Sequence, residues 1–323
     1  MADLSLSIAL EHYERHVPFM QGEIKPTGID LRVMIVGQEG RGGGRRHERM
    51  LHHQEFDVAE LSLGSYVMAR SRGVPLTAIP VFPRRLFSPS QMYVNTNAGI
   101  KSPKDLAGHR IGLRSFQTTL SVLAKGDLAH DYGVPLDSVI WVTTAEEPVS
   151  FDPPPGVVIE RLAPDRKLGE SLVSGELAGF FSPRPPAPYL EGSPAVGRLF
   201  DDPRSEELAY YHRNGFYPIM HIVAIRQDIA DQNPWVAQSL LEAFGQSKDI
   251  WETYLDDPNW SSLAWGRHWL EQEREMFGTD IWPAGVESNR ANLERFIEYE
   301  FNQGLISERM TVESLFFPTV VGT

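Results

Sequence analysis

In the stretch EFDVAELSLGSYVMARSRG, residues 55–73, a carboxylate stands just ahead of a run of small hydroxyl-bearing residues. Val58, Ala59, Leu61 and Leu63 read as a short buried strand with Glu60 inside it. Ser62, Gly64 and Ser65 follow, the residue types with which a helix start holds an anion on its free N–H groups. The arrangement returns in RSFQTTL, where Gln117, Thr118 and Thr119 open a second helix. Each set could equally be a plain helix cap. Two such helix starts facing one cleft would bind a small acid between them.

A helix end stabilises an anion by only ~0.3–1 kcal/mol, or ~2 when partly buried. An ion taken out of water loses several kcal/mol. Arginines are therefore expected, because the guanidinium fork matches a carboxylate. The candidates are Arg49, Arg85, Arg114 and Arg184, with Arg85 in FPRRLF preferred; the other reading of each is a solvated surface side chain. His221, in PIMHIVAIR, offers a group whose ordinary pKa near ~6.5 suits proton transfer, or else a hydrogen-bonded core histidine. His12 and Tyr13 follow the first strand and could reach a cleft, and Glu146 and Glu147 in TTAEEP are a second acid/base option or a solvated turn. In HERMLHH the spacing does not place His47 on one helix face with His52 or His53, and adjacent histidines diverge; surface positions and no metal site are expected. GRGGGRR lacks the ending of a phosphate-binding loop, and there is no G-x-S-x-G elbow.

Strand-like and helix-like segments alternate, which points to α/β layers. LSLSIAL (4–10), IDLRVMIV (29–36), DVAELSL, LTAIPVF, QMYVNT, RIGL and SVIWVTT read as strands. Ser102 and Pro103 start a single helical turn that Gly108 ends. A helix is expected from about Thr118 to Asp131, and a short one in RKLGESLVSG before ELAGFFS. EEPVSFDPPPGVVIERLAP and SPRPPAP are proline-rich and expected to be irregular. FYPIMHIVAIRQDI (216–229) is the strongest strand signal. A long helix follows Pro234 to about Leu255, with Val236, Leu240, Phe244 and Ile250 inward, and a last helix lies near 286–303. From about Arg46 the Gly/Arg-rich insert can turn helical, with Met50 and Leu51 inward.

At 323 residues the chain exceeds the size at which single cores stop growing, so two lobes are expected. A net charge of −13 argues against nucleic acid or an anionic membrane as partner. With no cysteine, disulfides, thiolate metal sites and cysteine nucleophiles are excluded. The first residues, MADLSLSIALEHYERH, read as a strand and not a signal peptide, and no apolar run approaches the ~20 residues of a membrane span; a cytoplasmic location is expected.

The element order places residues 92–210 as a second lobe inserted between 1–91 and 211–323, with two crossover strands and a cleft over a hinge. GIKSPKDLAGHRIGL and LVSGELAGFFS are similar to the corresponding steps of type II periplasmic-binding-protein folds. The chain as a whole resembles the 4,5-dihydroxyphthalate decarboxylase family. The resemblance rests on GIDLRVM, RMLHHQEFDVAELSLGSYVMARSRG, AIPVFPRRLF, YVNTNAGIKSPKDLAG, DYGVPLDSVIWVT, EEP, YPIMHIVAIRQDI, NPWVAQSLLEAF and WPAGVESNRANLERFIEYEFNQGL. The insert at 40–46, Ser88 and Pro89, SFQTTLSVLAKG and SPRPPAP depart from the family's pattern where cleft contacts are expected.

The resemblance implies a cytoplasmic, homo-oligomeric carboxy-lyase that acts on a hydroxylated aromatic dicarboxylate and needs no cofactor. A base removes a phenol proton, an acid protonates the carbon bearing the carboxylate, and carbon dioxide leaves. Glu60 would be the base and His221 the acid. Tyr13, Arg49, Ser62, Ser65, Arg85, Gln117, Thr118, Thr119 and Arg184 would hold the substrate. Two alternatives are a non-catalytic small-acid-binding protein of the same fold and a family enzyme for another small aromatic acid. The tryptophan-rich C-terminal helices are expected to be mostly core, with an oligomer interface as their other role.

Overall fold

Alternation of Leu and Ser makes β1 (Leu4–Leu10) an amphipathic strand with Leu6, Ile8 and Leu10 buried. The computed structural model describes residues 3–38 and 40–323, which leaves Glu39 of the Gly/Arg insert outside. The first lobe continues with α1 (Val17–Gln21), β2 (Ile29–Ile35), α2 (Arg46–His53), β3 (Val58–Ser62), α3 (Leu63–Ser71) and β4 (Leu76–Ile79). The second contains β5 (Met92–Asn95), β6 (Arg110–Leu113), α4 (Thr119–Tyr132), β7 (Ile140–Thr143) and β8 (Val158–Arg161). It goes on through α5 (Leu168–Ser174), β9 (Gly179–Phe181), α6 (Ala187–Leu190), β10 (Val196–Arg198) and α7 (Pro203–Asn214). The chain then returns with β11 (His221–Arg226), α8 (Gln227–Gln232), α9 (Trp235–Tyr254), α10 (Gly266–Phe277) and α11 (Arg290–Asn302).

Two sheets result. The first has the order β2-β1-β3-β11-β4, and the second β10-β5-β9-β6-β7-β8. Strand β11, the only one of the first sheet drawn from beyond the second lobe among the described residues, runs antiparallel between β3 and β4. The two segments that cross between the sheets lie side by side. Arg85 and Ile219 form an antiparallel bridge, the Leu86 N–H donates to the Pro218 carbonyl at 3.0 Å, and the Met220 N–H donates to the Arg84 carbonyl at 2.8 Å. This paired ribbon links the two sheets at the place where the sequence leads one to expect the hinge.

The two lobes touch at their helix starts. A Cβ on Gly64 would lie 2.5 Å from the Gln117 carbonyl, so only glycine lets α3 approach the segment leading into α4 this closely. On the other side of α4, Gly126 gives the Tyr299 ring of α11 its place, since a Cβ there would fall 2.1 Å from the ring.

Three expectations are corrected. VIER, in the proline-rich stretch expected to be irregular, is strand β8, paired in parallel with β7 at the sheet edge. Its burial is partial on both faces, so no alternation betrayed it. FYPIMHIVAIRQDI is not one strand: residues 218–220 belong to the ribbon that links the sheets, β11 covers His221–Arg226, and Gln227 begins α8. The C-terminal tryptophans are mostly not core, with Trp265 68% and Trp269 46% exposed. Among the described residues no helix is long and apolar enough to cross a membrane.

Candidate active site

The antiparallel register of β3 and β11 builds the centre of the cleft. His221 lies directly opposite Ser62, and Val223 opposite Glu60. Side chains alternate across a strand, so Glu60, Ser62 and His221 share one face, with Glu60 and His221 as diagonal neighbours. The Glu60 carboxylate is fully buried and accepts a hydrogen bond from His221 Nδ1. Its second oxygen accepts the backbone N–H of Glu11 at 2.9 Å, just past the end of β1.

Arg46 completes the cluster from the first position of α2. It is fully buried, with Nη2 3.3 Å from Glu60 Oε1, and its Nε donates to the Glu60 carbonyl at 2.8 Å. Burial works against the Glu60 charge, but Arg46 and His221 outweigh it and hold the carboxyl well below the usual carboxylate range. Burial pushes His221 down, against the pull of Glu60, so the imidazole is neutral at neutral pH. An ionised carboxylate can only accept. The proton therefore sits on Nδ1, and Nε2 carries the lone pair.

His221 lines a cavity of about 330 Å³ between the lobes, a volume suited to a substituted benzene ring. Arg84, Arg114 and Arg184 line the same cavity, a local cluster of positive charge in a chain of net charge −13. His47, Gln38, Ser62, Thr118, Thr119, Thr144 and Ser182 add polar groups, and Leu120, Leu168, Phe180, Phe181 and Met220 supply apolar wall. The His47 ring stands edge-on to that of His221, with centroids 5.0 Å apart, and burial keeps it neutral.

The helix starts are used differently from a simple anion site. Ser62 makes no side-chain cap to its own helix; its hydroxyl pairs with that of Thr119 at 2.8 Å. Thr119 Oγ1 also accepts the Gly64 N–H at 3.1 Å, so the second lobe caps α3 of the first.

Residues 27–150 match the NMT1/THI5-like family. The fold is that of periplasmic binding proteins: a putative sulfonate-binding protein of an ABC transporter from Methylobacillus flagellatus KT superposes with a TM-score of 0.58 at 15% identity, covering 100% of this chain and 94% of that one. A 4,5-dihydroxyphthalate decarboxylase from Comamonas testosteroni is 34% identical over 98% of each chain. The chain belongs to the 4,5-dihydroxyphthalate decarboxylase family. A second relative of that name, from Pseudomonas putida, is 34% identical over 65% of this chain and 83% of its own.

Of the residues that the family resemblance and the sequence singled out, the structure brings together Glu60, Ser62, Thr118, Thr119, Arg114, Arg184 and His221 at this one site. Glu60 does not line the cavity; it stands behind His221 and is joined to it by a hydrogen bond. Arg85 is corrected outright. It is 4% exposed and ties the ribbon, donating to the Tyr217 carbonyl at 2.7 Å, the Pro283 carbonyl at 2.9 Å and Asn289 Oδ1 at 2.5 Å. Arg49 lies outside the cavity in an ion pair with Glu55, with Nη1 on the Gly42 carbonyl at 2.9 Å. Gln117 is fully buried and spends its amide on Glu147 and the backbone of Val149. Ser65 is buried within α3, away from the cavity. Tyr13 borders the charged cluster, with the Arg15 guanidinium 4.2 Å over its ring, without lining the cavity, and His12 is exposed.

Glu146 is exposed and pairs with Arg161, whereas Glu147 accepts the backbone N–H groups of Phe116 and Gln117, fixing the loop before α4. His52 and His53 are exposed, but His47, expected at the surface, is 9% exposed and faces the cleft. Among the described residues no three His, Cys, Asp or Glu side chains are grouped to hold a metal. Arg46, His47 and Arg84 were not foreseen. For Arg84 the signal was present in FPRRLF, but adjacent side chains on an extended segment point to opposite sides, and the sequence does not say which enters the cleft.

Proposed function

We propose that the protein decarboxylates a hydroxylated aromatic dicarboxylic acid of the 4,5-dihydroxyphthalate type, releasing carbon dioxide and protocatechuate. The carrying observation is a histidine backed by a buried carboxylate in the wall of a cavity that it shares with three arginines. His221 Nε2 takes the proton of a ring hydroxyl, and ionised Glu60 stabilises the imidazolium that forms. The phenolate raises electron density at the para carbon, which takes a proton derived from solvent. The bond to the carboxylate then breaks, its electron pair restores the aromatic ring, and carbon dioxide departs. Over the cycle one proton is consumed and the hydroxyl is regenerated. Arg84, Arg114 and Arg184 orient the two carboxylates, and the aromatic wall from Phe180 and Phe181 excludes water from the ring. The ring itself accepts the electrons, so the reaction as written requires no organic cofactor.

Likeness to the sulfonate-binding protein favours a second reading, a receptor that closes on a small acid without changing it. A receptor has no use for a proton-handling pair at the cleft wall. Incubation with 4,5-dihydroxyphthalate separates the two: carbon dioxide and protocatechuate support the decarboxylase. Tight binding without turnover supports the receptor, and turnover of another hydroxybenzoate alone moves the substrate. The absence of cysteine fits work in a reducing cytoplasm. A homo-oligomer would cover the exposed Leu263, Trp265 and Trp269, and a monomer in sedimentation would remove that element.

A further inference from the structure

We infer that Arg46, which does not touch the cavity, is a positioning residue that sets the charge and tautomer of the Glu60–His221 pair. The inference rests on the reading of His221 as the proton-handling group. The guanidinium joins three strands: Nε donates to the Glu60 carbonyl at 2.8 Å in β3, Nη1 donates to the Val36 carbonyl past the end of β2, and Nη1 lies 3.8 Å from Glu11 Oε2 past β1. Nη2 makes no hydrogen bond and lies 3.3 Å from Glu60 Oε1, so this edge of the fork meets the carboxylate as an ion pair. Arg45 enters the left-handed region at φ 53°, and this bend turns α2 so that Arg46 faces inward.

Other charged or titratable groups surround the pair. Glu11, Tyr13, Arg15 and His16 follow β1, His47 is the next residue of α2, Arg84 comes from the ribbon and Arg114 from the end of β6. Arg46 is the cation in contact with the carboxylate, and like Glu60 it is fully buried. Without it, a carboxylate removed from water takes up a proton instead of remaining charged. A protonated Glu60 no longer requires the proton on His221 Nδ1, and the bare Nε2 needed for a base is no longer enforced.

The test uses the full chain with 15N-labelled histidine as wild type, Arg46→Met, Arg46→Gln and Arg46→Lys. In wild type, His221 should be neutral and Nδ1-protonated at pH 7. In both neutral variants it should show mixed tautomers. The acid limb of kcat/KM for 4,5-dihydroxyphthalate should move up by about one pH unit. Turnover should fall about 10–100-fold, part of the ~10²–10⁴ that acid–base catalysis contributes, with KM within about threefold. Arg46→Lys keeps the charge and loses the two backbone bonds, and should retain the wild-type tautomer and pH limb. Wild-type tautomer and limb in Arg46→Met or Arg46→Gln would overturn the inference, as would Arg46→Lys behaving like the neutral variants. If wild type fails to decarboxylate the compound, the functional reading falls, while the histidine signals still decide the role of Arg46.

Discussion

Replacing Glu60 by Gln keeps the shape of the side chain and removes its charge. The carboxylate serves three partners: the Glu11 N–H at 2.9 Å, His221 Nδ1, and Arg46 at 3.3 Å. An amide has one acceptor oxygen. If that oxygen keeps the Glu11 N–H, the amide NH₂ faces His221 and forces Nδ1 to accept, which moves the imidazole proton to Nε2. The base is then blocked, and the anion that would stabilise an imidazolium is gone. Losing both functions should lower kcat by about 10²–10⁴, the range for general-base catalysis, or ~3–5.5 kcal/mol on the barrier. Glu60 does not line the cavity, so KM and ligand affinity should stay within about threefold. Arg46, fully buried, loses the nearer of its two carboxylates and keeps only Glu11 at 3.8 Å, which should destabilise the fold by up to ~3–5 kcal/mol. Carbon dioxide release and the absorbance of the catechol product give kcat and KM, calorimetry with substrate gives affinity, and urea unfolding gives stability. A folded variant with kcat within about threefold of wild type would refute the reasoning, as would loss of affinity at unchanged kcat.

Under the proposed function, Arg114 and Arg184, which line the cavity, each make a charge-assisted contact to a substrate carboxylate worth ~1.5–3 kcal/mol, so truncating either to Ala should raise KM about 10–100-fold, read from initial rates. Gly64→Ala drives a methyl group to within 2.5 Å of the Gln117 carbonyl; it should destabilise the chain by ~1–3 kcal/mol in urea unfolding and weaken ligand binding, because the lobes can no longer meet. His16, buried and pushed down to about 4, makes stability fall with acid. The unfolded chain takes this proton near ~6.5 and the folded one does not until about 4, so the contribution is complete above the first value and is lost as pH drops toward the second. Across that window His16→Phe should remove up to one proton's slope, ~1.4 kcal/mol per pH unit, from the pH dependence of the unfolding free energy.

Much of the first sheet could be read directly. Alternation in LSLSIAL, the buried run VAELS and the apolar run HIVAIR each became a strand, because burial on one or both faces writes itself into residue type at period two. Met50, Leu51, Val236, Leu240 and Phe244 turned inward as their helical spacing requires. Strand β8 left no such trace, since an edge strand with both faces half-exposed needs no apolar alternation.

The sequence by itself determined that this chain carries a carboxylate in a buried strand, a histidine in another, and no thiol chemistry. It also pointed to the family, through motifs spread along nearly the whole length. Which groups meet was decided by the tertiary structure. The β3–β11 register set Glu60 behind His221 and not on the cavity wall. Pairing of the two crossing segments committed Arg85 to the ribbon and left Arg84 at the cleft. Left-handed Arg45 precedes Arg46, which faces inward at the point where the Gly/Arg-rich insert turns helical. The reason is general: burial leaves its mark on the type of each residue, but the distance between two charges depends on strand register and helix entry angle, which are set by contacts far apart in the chain.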